Sequence, residues 1–398
     1  MELLAPAGDR EKLNMAIEYG ADAVYLASTR FGLRTYAGNF ELDALKDAVE
    51  YAHSKNVKVY VTVNIIPHES DLDDLPEYFS YLEKINVDAV ICADIGVISI
   101  CRRVAPNLNI HVSTQANITN SEAAMVYVDM GVKRLILARE MTLDEIKALR
   151  QKLPKEIELE AFCHGAMCIS YSGRCLLSNF FTHRDANRGA CVQACRWNYA
   201  IREVTKDQEY PIEEDSHGTY ILNSKDLCMI DYLDKLQEAG VDSIKIEGRM
   251  KTEYYVANIV NAYRMALDHL KGHKMYNLPD EIKNEVYKSS HRDYSTGFYF
   301  GDPKENLDTS TPESSYEFIA VVIENGENNV AKVEMRNRFS VNSQLELLSR
   351  TKNNAIIKIN KIVDEEGNEL QECKIPKQHV YIHTDVNLLK NEILRKKK

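Results

Sequence analysis

The feature that most constrains this chain is the alternation of short β-branched runs with amphipathic stretches through its first 250 residues. The runs are Leu3–Ala5, Ala23–Leu26, Lys58–Val63, Ala89–Cys92, Ile110–Ser113, Leu135–Ala138, Ile157–Phe162 and Ser243–Ile246. Between them the apolar residues recur at helical spacing, as at Leu42, Leu45, Val49 and Ala52, or at Leu227, Ile230, Leu233 and Leu236. Gly-containing exits (Gly20, Gly131, Gly240) supply the cap that turns a helix back into a strand. Strands that alternate with helices build a parallel sheet, and eight such units close most simply as a (βα)8 barrel. The competing architecture, a doubly wound open sheet, lacks its usual G-x-G-x-x-G phosphate loop here.

The catalytic mouth of a barrel lies at the strand C-termini. Those ends carry Gly8-Asp9, Asn64, Asp94, Thr114-Gln115, Asn117, Arg139-Glu140, His164 and Glu247-Gly248-Arg249. Asp9 and Asp94 read equally well as helix caps. One interval breaks the spacing, because about 80 residues separate the seventh and eighth strands; the insertion spans about 163–240. The barrel domain then covers 1–272 and a connecting segment covers 273–315. From 316 to 398 the period changes to short alternating runs (Phe318–Val322, Ala331–Met335, Leu345–Leu348, Ala355–Ile359) separated by turns such as Asn325-Gly326, the pattern of a small antiparallel β-barrel.

The insertion holds Cys163, Cys168, Cys175, Cys191 and Cys195, and Cys228 follows just before a helix. Nine cysteines in 398 residues are too few for a disulfide scaffold, and their clustering points to metal or redox chemistry. The Cys191 to Cys195 interval comes near a zinc knuckle, whereas Cys168 and Cys175 are too far apart for one. Dispersed thiolates among small residues suit a 4Fe-4S cluster, with zinc the alternative. Cys92, Cys101 and Cys373 lie in apolar patterns and read as buried thiols.

Charge sharpens the picture. The chain carries a net −11, which argues against non-specific coating of nucleic acid. Residues 163–202 nevertheless hold five arginines (Arg174, Arg184, Arg188, Arg196, Arg202) against the single acid Asp185. These arginines can contact RNA phosphates or offset the charge of a thiolate-bound cluster. Tyr171, Phe180, Phe181 and Trp197 can stack on an unpaired base or pack around that cluster. No basic leader with an apolar run and no membrane-length apolar stretch occurs, so a cytoplasmic protein without membrane contact is expected.

Peptidase chemistry is harder to assemble, since neither G-x-S-x-G nor H-E-x-x-H is present. Cys163-His164 is the nearest approach to a dyad, but neighbours on a strand point to opposite sides. Glu140, Lys245, Glu247 and Arg249 could hold a dicarboxylate or relay protons, and a Glu247–Arg249 salt bridge is the structural alternative.

Several motifs resemble one family. Glu160-Ala-Phe162 with Gly165-Ala-Met-Cys168, then Ser172-Gly-Arg-Cys175-Leu-Leu-Ser178, are similar to the signature of the collagenase-like peptidases of unknown catalytic type. The segments Leu4–Gly8, His111–Ala116, Lys245–Arg249, Tyr294–Phe298 and Arg336–Ser340 extend the likeness over nearly the whole chain. The resemblance implies a TIM-barrel-like domain followed by a small β-barrel. From the family's RNA-modifying members it implies an oxygen-sensitive 4Fe-4S cluster and tRNA as partner. The implied reaction is hydroxylation of the wobble uridine to 5-hydroxyuridine with prephenate as hydroxyl source. Carried onto this chain, the cluster ligands are Cys168, Cys175, Cys191 and Cys228, with Cys195 in reserve and Cys163 a free thiol. Glu140, His164, Lys245, Glu247 and Arg249 are the expected catalytic residues, and Arg174, Arg184, Arg188 and Arg196 the expected RNA contacts. Some members act in pairs, so a paralogous subunit or homo-oligomer is an expected partner. A collagenase-like peptidase and a non-catalytic RNA-binding module with a structural metal are the alternative functions.

Overall fold

The computed structural model describes all residues except 30, 32–38, 169, 198–201, 204–207, 210–213, 216–217, 220–224, 274, 302–311 and 351–353, and for 196, 202–203, 208–209, 214–215 and 218–219 it describes the backbone alone. The expected eight strands form: β1 (Glu2–Pro6), β2 (Ala23–Leu26), β3 (Lys58–Val63), β4 (Ala89–Cys92), β5 (Asn109–Val112), β6 (Arg134–Ile136), β7 (Glu158–Ala166) and β8 (Ser243–Ile246). Each pairs in parallel with the next, and β8 pairs with both β7 and β1, so the sheet closes into a barrel. These strands bury nearly every residue because helices cover their outer faces while side chains fill the interior, which is why they read as continuous apolar runs. Asp9 and Asp94 act as caps, accepting from the backbone amides of Lys12 and Val97 at 2.9 and 3.0 Å.

Two further strands extend the sheet beyond the barrel. Asp226–Cys228 runs antiparallel to the end of β7, and Tyr294–Ser295 runs parallel to it in turn. The connecting segment is therefore partly a member of the barrel sheet. Its neighbour, the helix Glu253–Gly272, is buried along most of its length between barrel and C-terminal domain.

The C-terminal domain is a curled antiparallel sheet of eight strands with its own apolar cluster, which includes Ile319, Val333, Leu345, Leu347 and Ile382. It docks on the barrel through buried polar anchors. Arg395, fully buried, pairs with Glu285 and Glu346 and donates to Asn258 at 2.6 Å. The Tyr19 hydroxyl donates to the Leu348 and Asn391 carbonyls at 3.0 and 3.1 Å. Among the described residues no helix is long and apolar enough to cross a membrane.

Candidate active site

β7 runs past the barrel rim to Ala166, and the segment that follows lies across the mouth. Several separate ties hold it there. Arg139 donates to the Ala166 carbonyl at 3.0 Å and to Ser172 Oγ at 2.8 Å. Asn117 donates to the Ser172 carbonyl at 2.9 Å. Asn187 donates to the Cys175 carbonyl at 3.1 Å. Arg188 grips Asp71 bidentately at 2.6 and 3.0 Å, and that contact holds the Asp71 carboxyl down at about 2. Gly165 sits at φ 109°, where a Cβ would lie 2.5 Å from the Glu247 carbonyl, so only glycine lets the end of β7 approach the Glu247–Arg249 turn this closely.

Under this segment is a cavity of 410 Å³. Its floor includes Tyr25, Thr62, Ile91 and Phe162 from the barrel interior, and its walls carry Gln115, Arg139, Lys245, Glu247 and Arg249. The Lys245 ammonium lies 2.9 Å from Glu160 and 4.4 Å above the Tyr25 ring. Arg249 donates to Asn39 at 2.5 Å and to Thr62 at 3.4 Å. Gln115 accepts from Asn64 at 2.6 Å, while its own buried Nε2 meets no acceptor. Five cationic side chains (Arg139, Lys245, Arg249, Lys251 and Arg292), the Glu247 carboxylate and an amide donor thus border one cavity.

The roof of that space holds Cys168, Cys175, Cys191 and Cys195, all half-buried. Cys191 Sγ accepts from the Gln193 amide at 3.3 Å and from Ser178 Oγ at 3.8 Å. Cys228 is elsewhere. It pairs across the ladder with His164, its Sγ is 3.8 Å from the Tyr263 hydroxyl, and burial pushes its thiol up to about 11. Cys163 is fully buried, and its thiol too is raised by desolvation. Cys168, Cys175, Cys191 and the reserve candidate Cys195 therefore line one cavity while the expected fourth ligand Cys228 lies outside its lining, and among the described residues no three such side chains are drawn together closely enough to hold a metal ion.

The structure separates the other expected site residues. Lys245, Glu247 and Arg249 meet in the cavity. His164 turns outward into a cage of Tyr255, Tyr263 and Tyr294, with ring nitrogens 3.3 and 3.4 Å from two tyrosine hydroxyls, and burial lowers its pKa to about 3. Glu140 is half-buried outside the cavity lining and desolvation raises its pKa. Its neighbour Arg139 is the one that faces inward, which period-two alternation would allow but not decide. Among the expected RNA contacts, Arg174 is exposed, Arg184 is half-buried, Arg188 is committed to Asp71, and the side chain of Arg196 falls outside the described residues. The packing reading of the aromatics does not hold, since Tyr171, Phe180, Phe181 and Trp197 are all exposed.

A closed parallel barrel whose mouth is covered by a cysteine-bearing segment over buried cations defines a barrel of the enzyme type, its site at the strand C-termini. Sequence comparison narrows the class. Peptidase family U32 matches residues 8–309 and the family's C-terminal domain matches residues 314–395. The chain belongs to peptidase family U32. It is 38% identical over 402 residues to the tRNA hydroxylation protein P1 of Bacillus subtilis (strain 168), covering 100% of this chain and 95% of that one. It is 40% identical over 268 residues to the 23S rRNA 5-hydroxycytidine synthase of Escherichia coli (strain K12), covering 67% of this chain and 39% of that one. A crystal structure of the C-terminal domain of a Geobacillus thermoleovorans putative U32 peptidase is 32% identical, covering 20% of this chain and 99% of that one with a TM-score of 0.19.

Proposed function

We propose that this protein is an RNA-hydroxylating enzyme that converts the wobble uridine of tRNA to 5-hydroxyuridine, using prephenate as hydroxyl source and a 4Fe-4S cluster held by Cys168, Cys175, Cys191 and Cys228, with Cys195, which lines the same cavity as the first three, in reserve. The full-length likeness to a tRNA hydroxylation protein supports the substrate and reaction class. The single observation that carries the site is the convergence of four half-buried thiols with Arg139, Lys245 and Arg249 on one cavity. The thiols are spread over the wall of a 410 Å³ space, which suits a cuboidal cluster better than one zinc ion. When bound, the cluster supplies redox or Lewis-acid character at the roof. Arg139 and Arg249 are suited to grip carboxylates bidentately, and Lys245 adds a third positive charge. Glu247 is the carboxylate that can take or return a proton at the base being modified.

The peptidase reading is disfavoured because no histidine lines the cavity among the described residues, so a cysteine or serine nucleophile has no imidazole base within reach. Nucleoside mass spectrometry of tRNA from a deletion strain tests the proposal. A 5-hydroxyuridine family nucleoside is expected to vanish and to return with the wild-type gene but not with Lys245→Met. Unchanged tRNA in the deletion strain would refute it.

A further inference from the structure

Resting on the RNA reading above, we infer that the outer face of the cysteine segment is a stacking ledge for unpaired nucleobases of single-stranded RNA, formed by Phe180, Phe181 and Trp197 on the segment that also carries the exposed Arg174. The short helix Leu177–Thr182 turns Leu177 and Ser178 toward the cavity and presents Phe180 and Phe181 to solvent. Phe180 is 78% exposed, an unusual place for a phenyl ring. The rings form a series: Phe180 and Phe181 meet edge-on with centroids 5.2 Å apart, and Phe181 and Trp197 lie 6.1 Å apart at 44°. Such a tilted row presents faces on which bases can stack rather than a smooth apolar surface.

Charge selects the occupant. Residues 163–202 carry a net +4 within a chain of −11, and Arg174 is exposed on the same segment. Asn179, Thr182 and His183 interrupt the aromatic row with polar groups. A phosphodiester backbone carrying splayed bases satisfies both features at once; a protein partner would need a wider apolar area. The position is also apt, because Ala194 and Cys195, three and two residues before Trp197, line the cavity. RNA held on the ledge would bring an adjacent unpaired base to the mouth.

The test is fluorescence anisotropy of a labelled 15-nucleotide oligouridylate with the holoprotein and with Phe180→Ala/Phe181→Ala, where both changes are on exposed positions and circular dichroism and iron content check the fold. About tenfold weaker binding is expected in the double variant, the effect of losing one stacked base. An RNA duplex of the same length and heparin are expected to compete poorly. Trp197, the one tryptophan of the chain, reports the contact directly through reduced acrylamide quenching when the oligonucleotide is bound. Equal binding by the variant, or heparin competing as well as the oligonucleotide, would overturn the ledge. Trp197 shielded from acrylamide before any RNA is added would mean that a protein copy covers it. These readouts concern docking alone, so deletion-strain tRNA that keeps its modification would remove the hydroxylase reading without touching them.

Discussion

The two ends of the barrel are built on opposite principles. At the closed end Arg134, 2% exposed, meets Glu2 at 2.6 Å, Glu158 at 2.6 Å and Glu160 at 3.0 Å, and Glu160 is fully buried. Each of these four charges has a protein partner. At the open end Arg139, Lys245 and Arg249 border a cavity under a segment of loops and short helices tied down by individual hydrogen bonds. Lys245 belongs to both ends, since Glu160 holds its ammonium while the same side chain lines the cavity. The difference teaches that the barrel packs its ion pairs solidly below and gathers cations around a cavity above, with one lysine linking the two.

The sharpest break between the ends is in metal content. Cys191→Ser and Cys228→Ser are expected to strip the iron from anaerobically purified protein, whereas Cys195→Ser keeps it; iron and sulfide analysis decides, and loss in Cys195→Ser with retention in Cys228→Ser would make the reserve residue the fourth ligand. Next in size is Glu160→Gln, which leaves Arg134 and Lys245 short of a buried counter-charge. Removing one partner of a buried ion pair costs about 3 kcal/mol, read as a lower urea midpoint with unchanged slope. The same change at the mouth, Glu247→Gln, is expected to leave the midpoint nearly unmoved while abolishing modification.

A smaller effect is pH-dependent. His164 has its folded pKa depressed to about 3, so the unfolded chain, with a histidine pKa near ~6.5, binds more protons between those values. The stability it contributes is present above about pH 6.5 and is lost as pH falls toward 3. His164→Phe is expected to flatten that part of the stability profile with no change in modification at pH 7, whereas a catalytic His164 would lose activity. Smallest is Arg188→Ala. Its pair with Asp71 is partly exposed and worth at most about 1 kcal/mol, so faster proteolysis within 168–197 is expected without a shift in the global midpoint.

Much of this molecule is legible in its residues. All eight barrel strands coincide with the β-branched runs to within a few residues, as at Lys58–Val63 and Ser243–Ile246. The capping roles of Asp9 and Asp94 follow from their positions before a helical period. The convergence of Lys245, Glu247 and Arg249 follows from their place at a strand end. That Cys195 lines the cavity and Cys228 does not was not readable, because the sequence between them has no periodicity to fix where a thiol points. Nor was the inward turn of Arg139 rather than Glu140, which the rotation of one residue decides.

What the sequence determined by itself was the barrel, the curled β domain and the cysteine-rich segment, because strand and helix periods and local capping are properties of neighbouring residues. Tertiary structure alone decided which four thiols share a cavity, that His164 faces a tyrosine cage, and that Phe180 and Trp197 stand in solvent. Each of those depends on partners far along the chain: Tyr263 and Tyr294 for the histidine, Gln115 and Arg139 for the covering segment. A side chain's direction is set by what its neighbours in space exclude, and that information enters only when the barrel has closed.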